Sequence, residues 1–221
     1  MKVYAEYFEE NGLRFRRNTI LQFGDSWDLI GNAVLANPGS AEPLHKVSSD
    51  MSNNLELFYK SYRDHEPINI ENWYEFSDDA TMQRLERIFN GWYVSDNILE
   101  LNGVVQLFNT FNIKNQDLKA ATESISETSD FLFSKGVEKY FHDKPTYFGF
   151  SNDVLYHERL RPLAEDIFNN SSKKVKAIYS NDFSDNSFYH PTYVNRAYKQ
   201  DHFSRYRENV LIPLFNLVSS R

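Results

Sequence analysis

The chain has 221 residues, with 24 Lys plus Arg against 31 Asp plus Glu, a formal charge of −7 and no cysteine. The missing thiol excludes disulfides, Cys-ligated zinc, iron–sulfur clusters and thiol catalysis. The acidic balance excludes a global electrostatic pull on nucleic acid or anionic membrane, so a nucleic-acid contact would need a local basic surface.

Apolar residues at 41% and aromatics at 16% are enough for a core, and the length fits one domain over residues 1–221. The opening "MKVYAEYFEENGLRFRR" carries charge throughout and has no apolar centre like that of a signal peptide. No run of about 18 apolar residues occurs. A cytoplasmic location without membrane contact is therefore expected, and nothing in the sequence asks for a cofactor or a metal ion.

In chain order, two stretches rich in aromatic and branched residues flank Asn11-Gly12, which predicts an N-terminal β-hairpin. Ala33 to Ala36 reads as a short central strand stopped by Pro38 and Gly39. Residues 44–76 hold a helical stretch in "SSDMSNNLELFYKSYRDH", then an irregular "EPINIENWYEF", and are read as an insertion. Met82, Leu85, Ile88, Phe89 and Trp92 share one face of a helix that Asp78 or Asp79 would cap.

"ILELNGVVQLF" is a strand, strongest over Val104 to Phe108, and residues 116–141 carry two helical segments broken near Gly136. "TYFGF" is a short strand, Leu160 to Phe168 a helix face, "KVKAIY" a further strand, and Phe203 to Leu217 a last helix that Pro213 would kink. Strands alternating with helices predict an α/β fold: three layers, α/β/α, around a mostly parallel four-stranded sheet, plus the N-terminal hairpin.

In such sheets ligands sit beyond the carboxyl ends of the strands. Three polar loops would open there: "NPGS" after the first core strand, "NTFNIKN" (which starts at Asn109) after the second, and "SNDFSDNSFYHPT" after the fourth. Asn37-Pro38-Gly39-Ser40 by itself is an ordinary strand-ending turn; as a binding loop it would let a ligand approach backbone amides. His190 is held extended by Pro191 and would donate to an oxygen that gains charge. Tyr193 would stack on or wedge between bases, and Arg196 and Lys199 would meet phosphates. "HERLR" at 157–161 lacks the second His of a zinc-protease helix, and no phosphate-binding or dinucleotide glycine motif occurs.

"AVLANPGSAEP", "DDATMQRL" and "GVVQLFNTFNIKNQDL" together resemble a bacterial family of unknown function. Its pattern is a strand into Asn-Pro-Ser-Thr-Ala, then Asp-Asp-Pro-Thr before a helix, then a strand ending Val-Asn-Leu-Phe. That family is similar in turn to the uracil-DNA glycosylase superfamily. The first loop is also similar to the Asn-Pro-Gly loop of the mismatch-specific uracil/thymine glycosylases, and "HPTYVNR" to their His-Pro-Ser segment with its intercalating residue.

The resemblance implies a DNA glycosylase-like hydrolase, as in DNA repair, that cuts the N-glycosidic bond of a base in nucleic acid or of a nucleoside, acting on an extruded nucleotide. It implies catalytic roles for Asn37, which orients the water, and His190, which stabilises the departing base. Pro38, Gly39, Ser40, Gln106, Asn109, Tyr193 and Arg196 would bind substrate, with Gln106 in the place of an Asn that holds the base edge and Tyr193 in the place of the wedge. An amide is no general base, so a carboxylate from Glu42, Asp182 or Asp185 would have to help. The alternative is a non-catalytic module of the same fold that binds a nucleotide, nucleic acid or a protein.

Overall fold

The computed structural model describes residues 1–115, 117–124 and 129–220. The predicted hairpin forms: β1 (Lys2–Glu10) and β2 (Leu13–Phe23) pair antiparallel. Asn11 and Gly12 take φ values of 52° and 76°, the left-handed pair that a two-residue hairpin turn demands. β3 (Leu29–Leu35) and β6 (Gly103–Asn109) are the two expected core strands, and β7 (Thr146–Phe148) is the third.

The sheet itself overturns the expectation of a mostly parallel four-stranded core. It has seven strands in the order β4-β5-β1-β2-β6-β3-β7. β6, β3 and β7 run parallel, whereas β2 pairs antiparallel with β6. The hairpin is therefore continuous with the core sheet instead of an addition to it. The 44–76 segment extends the same sheet. It contributes β4 (Pro43–Lys46), α1 (Ser49–Tyr62) and β5 (Trp73–Phe76), and β5 pairs with β1. "WYEF", expected to be irregular, is thus a strand whose Trp73 and Phe76 are buried.

"KVKAIY" is not a strand. Residues 173–178 form successive turns, with Lys176 N–H donating to Ser172 and Tyr179 N–H to Lys176. The Tyr179 hydroxyl does what a fourth parallel strand would do: it accepts from the Phe148 N–H of β7 at 3.0 Å. A phenol with its ring in the core satisfies the edge donor without a ladder.

Strand alternation assigns the faces. Ala33, Leu35, Val105 and Leu107 face a core shared with α2 (Ala80–Phe89), α6 (Pro191–Ala197) and the C-terminal helices. Those last run from α7 (Ser204–Tyr206) through a π-helical turn (Arg207–Leu211) into α8 (Ile212–Ser219). Pro213 follows that turn in the first turn of α8: lacking an N–H, it leaves a carbonyl without its usual donor. Val34, Phe108 and Phe148 face the opposite core, with α4 (Asn152–Leu155) and α5 (Leu160–Asn170), and Tyr4, Ile20 and Val104 pack under α1. In the 116–141 stretch the described helical pieces are α3 (Leu118–Glu123) and a single 3-10 turn (Val137–Tyr140) introduced by Gly136 at φ 67°. The expected segment between them lies partly outside the described residues.

Gln106 belongs to the α1/α5 side of the sheet, in a buried polar network. Its Nε2 donates to Asn32 Oδ1 at 3.1 Å and to the Tyr140 carbonyl at 2.9 Å, and Arg63 donates to its Oε1 at 3.3 Å. Replacing it strands several buried groups at about 1–3 kcal/mol each. Gln106→Leu is expected to lower unfolding stability by about 2–3 kcal/mol, read from the urea midpoint, with ligand binding on the other face unchanged.

Candidate functional site

The parallel strands place the site. The chain leaves β3 and reaches β6 on one side of it and β7 on the other, so β3 is the point where the strand order reverses. Beyond its carboxyl end lies a cavity of about 270 Å³. Leu35, Asn37, Gly39 and Ser40 come from β3 and its loop, Leu107 and Asn109 from β6, Asp79 to Met82 from the start of α2, and His190 from the far loop. Asn37, Asn109 and His190, separated by 72 and 81 positions in the chain, therefore share one hollow. A second cavity of about 310 Å³ shares Asn37 and His190 with the first and is lined by Ser151, Asp153, Tyr193 and Arg196.

Each wall has a local cause. Asn37 Nδ2 donates to the Pro38 carbonyl at 3.1 Å and to the Asn115 carbonyl at 3.0 Å. The amide thus ties two of the polar loops together and leaves Oδ1 as its acceptor. Pro38 is buried and contributes this carbonyl instead of a cavity wall. At Gly39 a Cβ would stand 2.9 Å from Asp79 Oδ2, so a larger residue would push the loop or that carboxylate aside.

Asp79 caps α2 as expected: Oδ1 accepts from the Thr81 and Met82 N–H groups at 2.9 and 3.0 Å. Its Oδ2 has only a long contact from the Ala41 N–H, 3.4 Å. One carboxylate thus holds a helix with one oxygen and turns the other toward the Gly39 loop.

His190 reaches the cavity without a strand before it. The Tyr147 hydroxyl donates to the carbonyl of the neighbouring Tyr189, which pins the loop to β7. His190 then caps α6, Nδ1 accepting from the Thr192 N–H at 3.3 Å, with Pro191 in the first turn. Burial, reinforced by the Arg84 guanidinium and opposed by Asp79, lowers the imidazole from its ordinary 6.5 to about 4. At neutral pH the ring is uncharged; with Nδ1 accepting, its proton sits on Nε2.

This shift links stability to acidity. The unfolded chain takes up a proton on His190 below about pH 6.5, the folded chain only below about pH 4. Stability carried by the neutral ring is therefore present above 6.5 and lost as pH falls toward 4. At pH 5 the loss is about 2 kcal/mol. Urea midpoints at pH 7 and pH 5 check it: His190→Asn, which keeps a capping acceptor, is expected to lose less stability over this interval than the wild type.

Gln106 does not reach the site: Leu107 and Asn109 line it, and Gln106, like Phe108, points to the other face, where it meets Asn32 and the Tyr140 carbonyl. Asn109 is the β6 amide on the cavity side. Tyr193 is 41% exposed and stacks on Tyr189 with ring centroids 4.9 Å apart, and Arg196 is exposed beside it. The three carboxylates suggested from sequence sit elsewhere. Glu42 pairs with Lys114, Asp182 caps a 3-10 turn, and Asp185 lines a different cavity with Arg205. Of the other basic side chains near α6, Arg207 donates to the Tyr198 carbonyl and Arg205 lines that other cavity.

Two residues that line the cavity lie outside the expected set. For Asp79 the sequence favours a capping role over a catalytic one. Arg16, one charge in "RFRR", is 2% exposed and lines the cavity from β2. No local pattern marks it, because its burial depends on where the hairpin docks.

Among the described residues no group of three or more His, Cys, Asp or Glu is arranged to hold a metal ion, and no helix is long and apolar enough to cross a membrane. Comparison with protein-family models, with curated proteins and with solved structures gives no match to this chain.

Proposed function

We propose that this chain hydrolyses the N-glycosidic bond of a nucleobase, in a nucleoside or in an extruded nucleotide. The observation that supports it is the meeting of Asn37, Asp79, Asn109 and His190 around one small cavity. Asn37 Oδ1 accepts a hydrogen from the water and orients it. Asp79 Oδ2 takes the proton as the water oxygen bonds to the anomeric carbon. The electron pair of the broken C–N bond leaves with the base. His190, neutral with its proton on Nε2, donates a hydrogen bond to the charge that develops there. Asn109 holds an edge of the base from the β6 side.

A cavity of about 270 Å³ is slightly smaller than ligand pockets of roughly 300–1,000 Å³, which suits a single ring. The adjoining hollow with Tyr193 and Arg196 gives the sugar and its substituents a place. The formal charge of −7 favours a small substrate or a locally bound strand over unspecific duplex binding.

The test is base release, followed by chromatography, from nucleosides and from oligonucleotides containing uracil, mismatched thymine or hypoxanthine, with alkaline scission of the oligonucleotides. Release from at least one supports the reading. No release from any of them overturns it, and saturable binding of a nucleoside without release selects the non-catalytic module, which the acidic surface favours.

A further inference from the structure

Arg16 is a buried cation without a direct ion pair among the described residues. Its side chain makes one long hydrogen bond, from Nη1 to the Ala41 carbonyl at 3.4 Å. Nε is buried without a partner, and the Phe76 ring lies 5.5 Å from the guanidinium carbon. Burial lowers the group only to about 10, with Asp79 and Glu42 pulling the other way, so it remains a cation at neutral pH.

A buried cation without a direct ion pair, in a partly apolar site, is costly unless something anionic joins it. Beside it, Asn109 is 2% exposed, and its Nδ2 is also buried without a partner. Both residues line the 270 Å³ cavity. Two residues short of hydrogen-bond partners, one of them charged, thus stand at the wall of one small cavity, where an anionic acceptor would answer them.

We propose that this cavity binds a carboxylate, held by the planar fork of Arg16 with Asn109 donating to one of its oxygens. The fork matches a planar carboxylate in a way that a point charge does not. The Asp79 carboxylate lines the same cavity, and its repulsion favours a monoanion over a phosphate dianion. The volume limits the occupant to a small ring acid or a short-chain acid. A carboxylate would occupy the cavity and the Asn109 donor that the hydrolytic reading gives to the base, so the two exclude one another there; carboxylate binding requires no bond cleavage and is read without turnover.

Calorimetric titration and thermal shift of the full chain with benzoate, propionate and inorganic phosphate test it. Benzoate or propionate is expected to bind saturably, at least about tenfold tighter than phosphate, and Arg16→Met to remove that binding. Without ligand, Arg16→Met is expected to melt at or above the wild-type temperature, because the unpaired buried charge is gone. A guanidinium with a purely structural role would give the reverse: a lower melting point and undiminished carboxylate binding to the folded protein. That result overturns the proposal, as does wild-type protein that takes up no carboxylate or prefers phosphate. Should Arg16→Met fail to fold, Asn109→Leu decides: at least tenfold weaker binding supports the site, and unchanged binding overturns it.

Discussion

Asp79→Asn is expected to slow base release by about 10²–10⁴-fold, the range for loss of a positioned general base, while the fold survives. The two effects separate because the two oxygens have different work. Oδ1 caps α2, and an asparagine oxygen accepts from the Thr81 and Met82 N–H groups almost as well. Oδ2 faces the Gly39 loop with one long contact, and the amide nitrogen that replaces it cannot take a proton from water. The measurement is a rate of base release set beside a urea midpoint. Asp79→Ala is the control: it also removes the cap, so it should lose about 1 kcal/mol of stability in addition. Wild-type turnover in Asp79→Asn would leave this residue with capping alone.

His190→Ala is expected to cost about 10²–10³ in turnover, the usual effect of deleting one preorganised donor to developing charge. The same substitution removes the α6 cap, at about 1 kcal/mol. His190→Asn retains a capping oxygen and so isolates the chemical loss. The pH profile supplies a second readout. Because the imidazole is already neutral above about pH 4, a donor role predicts turnover with no inflection from His190 between pH 5 and pH 8. An imidazole acting as a base with an ordinary value would instead give a rise centred near pH 6.5. Such a rise, abolished in His190→Asn, would reverse the assigned role.

The local devices were legible in the residues because they depend on near neighbours. Asn11-Gly12 demanded a left-handed turn, Asp79 a helix start, Val104 to Phe108 a strand, and the 3.6-residue spacing of Met82, Leu85 and Phe89 a buried helix face. The polar loop after β3 and the one after β6 follow from the same reasoning, since both strands end where their apolar runs end. Pro191 was enough to read His190 as an extended loop residue, but not to show that a helix starts there, Pro191–Ala197.

What the tertiary structure alone decided is pairing and facing. Nothing within β2 says that it will lie antiparallel against β6, yet that docking makes the sheet mixed and buries Arg16 at the cavity. Gln106 and Asn109 are both polar residues in one apolar strand. Only the register, which alternates side chains between faces, sends the first into the network with Asn32 and Arg63 and the second to the site. "KVKAIY" has the composition of a strand, but the β7 edge is already served by the Tyr179 hydroxyl, and a tertiary contact outweighs local propensity. Neighbours along the chain fix turns and helix starts; partners far along it fix which side of the sheet a side chain serves.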